Sequence, residues 1–419
     1  MGTPQPRCNA SFKDFRCNNV GMQIAVIIIP ILLTLSTLLV VVVVLWKSCL
    51  RRRGQKIEPI IVLNAEDLNH EGKEQGVVNT AASFEDLQHN PEPFLEKWEL
   101  PPDRGIKSVE FLCDGRFGAV CRATVGKKGA SETGQMAIVR ECAETSSPGK
   151  VREFHDLIKF HIRVCNHSSL VKVLWCQTTI QPLRLFLADM HPGNLLSYLW
   201  KLREGDLRGV DCTYDLTEKR VYSMALQLAS GLEYLTGTLK LVHGYVAACN
   251  VLIDQDMNAR LCGLGLAAEV YRMGALSYGK DAEVPIKWLA PERIVKRIIT
   301  EKSDVWSFGI FLYEVVTLGS PPYLALTPPE VLPKLKSGHR MQKPEQCSKH
   351  LFEVMSSCWQ WKSRKRPRFA ELIEVLDSYR MHADDKKPVS ATHTMDLSRY
   401  RLMAGLDLRR DGTSQVCTL

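Results

Sequence analysis

The stretch that decides the fold is Leu241-Val-His-Gly-Tyr-Val-Ala-Ala-Cys-Asn250. A helix is expected just upstream of it, over Leu216 to Leu235. Thirteen residues beyond Asn250 stands Gly263-Leu-Gly265, about forty beyond it Leu289-Ala-Pro-Glu292, and then Ser303-Asp-Val-Trp-Ser-Phe-Gly309. Each motif alone is weak, but their order and spacing together are specific. Further out, Phe111-Leu-Cys-Asp-Gly-Arg-Phe-Gly-Ala-Val120 suits a strand, a turn and a second strand. Met136 to Arg140 reads as a strand, Val151 to Val164 as an amphipathic helix, and Trp306 to Leu318 as a buried helix. No internal repeat is evident.

Composition sets the outer limits. The chain has 419 residues, 45% hydrophobic and 24% charged, which is ordinary for globular protein. A net charge of +8 is modest at this length, and nucleic acid is not an expected partner. The 14 cysteines show no CxxC pair and no Cys/His metal spacing. Only Cys8 and Cys17 precede the apolar run, and the rest fit a reducing compartment.

That run, Ile24 to Trp46, is uncharged and long enough to cross a hydrocarbon core of ~30 Å as a helix. A cleaved signal peptide would need a shorter core and a small-residue cleavage site, and neither stands out. Lys47, Arg51, Arg52, Arg53 and Lys56 follow it directly, so the C-terminal side is expected in the cytosol. Residues 1–21 then form a short outer segment, 22–46 a transmembrane helix and 47–104 a juxtamembrane linker. Asn9 would be an outward glycosylation sequon. Cys49 is a lipidation candidate or a plain thiol. Membrane lipid is an expected partner of the basic cluster. An outer segment of about twenty residues is too small for a ligand-binding domain. Residues 105–381 are expected to be one large domain, and 382–419 a disordered polar tail.

The motif series resembles protein kinases, tyrosine kinases in particular. Lys97-Trp-Glu-Leu-Pro-Pro-Asp-Arg104 is similar to the lead-in of receptor tyrosine kinases, and Cys358-Trp359 with Arg366-Pro367 to their last segment. The resemblance implies an α+β bilobal fold, with a small β-rich N-lobe and a larger helical C-lobe, preceded here by one transmembrane helix. It also implies ATP and Mg²⁺ as cofactors, and each position that would hold them can be checked.

The glycine-rich loop keeps Gly115 and Gly118 and has Cys113 where the first glycine would stand. The strand lysine aligns with Val139, which carries no charge, and its acidic helix partner aligns near Ile158. Arg140, a neighbour on a strand, would face the other way. The catalytic-loop Asp is replaced by Tyr245, whose phenol has an ordinary pKa of ~10 and is no base at neutral pH. Cys249 stands for the loop arginine of tyrosine kinases and Gly263 for the metal-binding Asp, while Asn250 remains from the metal site. Val120, Ala137 and Leu252 match residues that sandwich adenine, although core packing is the plainer account of them.

The structural positions are kept. Pro291-Glu292 with Arg366, Asp304, His243 and Gly265 match the residues that hold the lower lobe and its loops, and Ile162 and Leu264 join His243 in an apolar stack. Tyr271 and Tyr278 fall in the segment corresponding to an activation loop and are candidate phosphosites.

Tyr214-Asp-Leu-Thr-Glu-Lys-Arg-Val-Tyr222 and Leu261-Cys-Gly-Leu-Gly-Leu-Ala267, with one span and almost no ectodomain, resemble the serine/threonine/tyrosine kinase 1 family. That resemblance implies a membrane-anchored protein of growth and survival signalling. Members of this family keep the strand lysine and His-Gly-Asp, and this chain departs at both. The expectation is a pseudokinase that docks signalling proteins, with ATP and Mg²⁺ bound weakly or not at all. The alternative is a weakly active tyrosine kinase.

Overall fold

In the computed structural model, residues 93–129, 134–205, 215–273, 285–391 and 400 are described. All belong to the compact unit Ile61–Leu419. The apolar run Ile24 to Trp46, Asn9, Cys49 and Tyr278 lie outside the described residues. Among the described residues, no helix is long and apolar enough to cross a membrane.

The N-terminal lobe is a five-stranded antiparallel sheet: β1 (Arg104–Asp114), β2 (Ala119–Lys127), β3 (Gln135–Glu141), β4 (Val173–Gln177) and β5 (Arg184–Ala188), in the order β1-β2-β3-β5-β4. Helix α1 (Pro148–Val164) follows β3 and buries Phe154, Leu157, Ile158 and Phe160. Proline at its start suits a first turn with spare N–H groups.

The register of β3 corrects the sequence reading. Val120 pairs with Arg140, Cys121 with Val139, and Ala123 with Ala137. Directly opposed residues share a face. Val120 and Ile138 therefore look into the main core with α1, and Arg140 goes with them. Val139 and Ala137 look the other way, into a second cluster with Ala123, Val125 and Phe186, closed over by Leu100 and Trp175.

This second cluster explains the lead-in. The turn Pro93–Glu96 buries Leu95, and Trp98 and Leu100 exchange backbone hydrogen bonds with Cys176 on β4. Glu99 accepts from the Thr178 N–H at 2.9 Å. Residues 93–104, read from sequence as linker, are thus part of the folded lobe.

In the helical lobe, α2 (Leu195–Glu204) and α3 (Glu218–Glu233) precede the decisive stretch. That stretch ends in a 3-10 turn, Ala248–Asn250, and runs into β7 (Val251–Ile253). A small sheet joins β6 (Gly193–Asn194), β7 and β8 (Ala259–Leu261). Helix α4 (Gly265–Met273) begins directly after the Gly-Leu-Gly motif and packs against α1. Tyr271 lies in α4, with its side chain outside what is described.

Then come α5 (Pro291–Lys296), α6 (Glu301–Val316), α7 (Pro328–Lys336), α8 (Lys349–Cys358) and α9 (Phe369–Arg380). Helix α6 is the axis of this lobe. Thr300 and Ser303 cap its N-terminus reciprocally, and it is buried nearly along its whole length.

The chain beyond α9 also departs from expectation. Val389 N–H donates to Leu216 O at 2.8 Å, and the Thr217 hydroxyl donates to Asp385 at 2.9 Å. Residues 382–391 are therefore bound to the start of α3 rather than disordered.

Candidate functional site

The decisive stretch is held from below by α6. Asp304, fully buried, accepts the His243 N–H at 2.7 Å and the Gly244 N–H at 2.9 Å. Burial pushes its carboxyl up to about 7, against the pull of those N–H groups. The His243 Nδ1 accepts the Tyr245 N–H, so its Nε2–H donates to Cys262 O at 2.8 Å. Burial keeps this imidazole neutral, pushed down to about 4. Arg293, from α5, donates to Gly244 O.

A second acid of α6, Glu314, is also fully buried and accepts the Ala248 N–H at 2.9 Å. Burial raises its carboxyl to about 7. Arg293 and Glu314 were not singled out in the sequence. Glu314 had a signal, as an acid deep in an apolar helix.

Tyr245 points no carboxylate at the cleft. Burial, and then the neighbouring Cys249, raise the phenol further above its ordinary value. Its carbonyl accepts from Asn250 Nδ2 at 2.8 Å. Asn250 is thereby turned toward Gly263. A Cβ on Gly263 would lie 2.3 Å from Asn250 Oδ1, and the backbone there has φ +75°. The amide of Asn250 fills the space through which a side chain at 263 would have to leave.

Arg140 emerges on the cleft side of β3, against expectation. It lines a cavity of about 400 Å³ with Arg116 and Phe117 of the glycine turn, Glu153 and Leu157 of α1, and Gly265 of α4. Leu157, not Ile158, is the helix residue beside it, since Ile158 is sealed in the core. No acid stands at 157 or 158, while a cation is kept, and Glu153, Asp156 and Glu269 line the same cavity. Burial lowers the Arg140 guanidinium from its usual range. Burial, and then Arg140 itself, push His161 down to about 4.

The glycine turn is drawn onto α1. Gly115 N–H donates to Gly118 O at 2.8 Å, and a Cβ on Gly118 would meet Glu141 O at 2.7 Å. Phe117 packs edge-on against Phe154, with 5.3 Å between ring centroids, and Arg116 pairs with Glu153 at 3.1 Å. Of the adenine-lining trio, Val120 and Leu252 lie in the main core, but Ala137 is on the outer face. Its place on the cleft face is taken by Ile138.

Lower down, the structural pair is formed. Arg366 grips Glu292 with two bonds, 2.6 and 2.8 Å, and also donates to Gln360 O and Lys302 O. Its guanidinium lies 5.0 Å over the Trp306 ring.

Residues 106–376 match the family model described as protein tyrosine and serine/threonine kinase. The chain belongs to that family. It is 35% identical over 416 residues to the human Tyrosine-protein kinase STYK1, covering 97% of each chain. To the mouse Tyrosine-protein kinase STYK1 it is 32% identical over 405 residues, 94% of each. A sea-urchin (Strongylocentrotus purpuratus) fibroblast growth factor receptor is 32% identical over 293 residues, 68% of this chain and 30% of the receptor.

Proposed function

We propose that this chain is a membrane-anchored, tyrosine-kinase-like pseudokinase, a docking module for signalling proteins in growth and survival pathways. The observation that carries the reading is Asn250 closed over Gly263. Metal-assisted phosphoryl transfer needs a carboxylate to hold Mg²⁺ at the phosphates, and here the amide stands where that side chain would start. Tyr245 supports the same reading. With its pKa raised by burial it stays protonated and cannot accept a substrate's proton. The structural fixtures, Asp304 and Arg366–Glu292, keep the docking surfaces in a kinase shape. Membrane anchoring rests on Ile24 to Trp46, with the N-terminus outside and the kinase-like domain in the cytosol.

Arg140 favours a second reading in part. A cation on the cleft face can attract nucleotide phosphates without metal, with Val120, Ile138 and Leu252 about the base. Nucleotide binding is then weak and indifferent to Mg²⁺. A thermal-shift titration of the full chain with ATP, with and without Mg²⁺, tests this. The expected result is a small shift, equal in both series and lost in Arg140→Ala. A Mg²⁺-dependent stabilisation of ~3 kcal/mol at saturating ATP would favour a weakly active tyrosine kinase, the activity named in the STYK1 relatives.

A further inference from the structure

One residue far along the chain sits against the decisive stretch. Tyr400 is buried, only 3% exposed. Its ring lies edge-on to Trp200 of α2, with 4.9 Å between centroids, and tilted 6.3 Å from Trp288. Its hydroxyl donates to Glu314 Oε1 at 3.4 Å. Glu314 is the buried acid that also holds Ala248, and it lies next to Cys249, the position where tyrosine kinases carry an arginine.

A buried carboxylate without a cation is costly. Cys249, in the loop beside it, supplies no such cation. Tyr400 supplies both a hydroxyl donor and an aromatic volume. The segment leading to it is already tied to the helical lobe through Val389 and Asp385.

We infer that the slot between Trp200, Trp288 and Glu314 is a binding site for a tyrosine side chain on a peptide, filled in the resting chain by Tyr400 of its own C-terminal segment. The site goes beyond the docking role argued above and does not depend on whether phosphate is transferred. Its ligand is the unmodified phenol. A phosphate would bring a charge of about −1.5 to −2 against Glu314 in an apolar slot. Phosphorylation of Tyr400 therefore releases the segment, freeing the slot for a tyrosine of a partner.

The test uses the full chain in detergent micelles and a labelled synthetic peptide of residues 392–408. The tethered segment competes at an effective concentration on the order of mM, so wild type should bind the peptide about tenfold more weakly than Tyr400→Ala. The same peptide phosphorylated on its tyrosine should not bind either chain. In Tyr400→Ala, hydrogen exchange over residues 286–290 should quicken about tenfold, whereas Tyr400→Phe should keep most of the protection. Equal peptide affinity in wild type and Tyr400→Ala would overturn the assignment, as would tight binding of the phosphorylated peptide. A second measurement needs no variant. Tyrosine nitration of the native wild-type chain, mapped by mass spectrometry, should leave Tyr400 among the least reactive tyrosines, and ready nitration there would equally refute it.

Discussion

At residue 263 a side chain would have to leave the backbone into the amide of Asn250, from a backbone with φ +75°. Gly263→Asp should therefore destabilise rather than restore a metal site. The left-handed backbone alone costs ~1–2 kcal/mol for a residue with a Cβ, and Asn250 must also give up its bond to Tyr245 O. Chemical denaturation is the check, and an unchanged midpoint would show that the space exists. Arg366→Ala should cost more, ~3–5 kcal/mol, because it leaves Glu292 unpaired and strips two carbonyls of their donor. Tyr245→Phe should cost no more than ~1 kcal/mol, the worth of one modest hydrogen bond. Equal losses in the two variants would refute that ordering. The residues of the lower lobe were legible in the sequence because each sits in a motif with its own spacing. Val139 and Arg140 were not. Ile138 and Val139 are both apolar, so alternation along β3 fits either register, and a one-residue slip exchanges the faces. Only pairing with β2 decides, and the outer face turns out apolar because Leu100 and Trp175 cover it.

Helix α6 sets the shape of the decisive stretch through two buried acids, Asp304 and Glu314, which hold its backbone N–H groups. Glu314 is raised to about 7 by burial. Between its ordinary value of ~4.5 and 7 the folded chain holds a proton that the unfolded chain has lost. Its contribution is fully present below that ordinary value and fades as pH rises through 7. His243, pushed down to about 4, works in the opposite direction, adding stability as pH rises from 4 toward 6.5. Glu314→Gln keeps an acceptor for Ala248 and loses the titration. The stability difference between wild type and this variant should shift in the variant's favour from pH 5 to pH 7.5, measured by denaturant unfolding at each pH. A constant difference would mean that Glu314 keeps its ordinary pKa. At this scale the sequence was informative. The spans read as Val151 to Val164, Leu216 to Leu235 and Trp306 to Leu318 coincide, within a few residues at each end, with α1, α3 and α6. The lead-in at 93–104 and the tail at 382–391 were misjudged for one reason. Their folding depends on strand and helix ends far away in sequence, Cys176 and Leu216, which no local pattern announces.

At the scale of the whole molecule, a kinase fold is kept, and on the proposed reading the positions that move phosphate are closed. Asn250 turns inward over Gly263, Tyr245 stands where the catalytic Asp would, and Phe117 folds the glycine turn onto α1. A cation persists at Arg140, and no acid stands at the aligned helix position, Leu157 or Ile158. The proposed membrane attachment through Ile24 to Trp46 predicts that protease added outside intact cells leaves residues 93–391 untouched, and digestion of that region without permeabilisation would reverse the topology. On the proposed reading the chain is held at a membrane and bound by signalling proteins. The most direct test is a single-turnover assay of the full chain with labelled ATP, Mg²⁺ and a tyrosine-containing peptide. The account predicts no transfer above background, whereas turnover near ~1 s⁻¹, the low end for kinases, would contradict it.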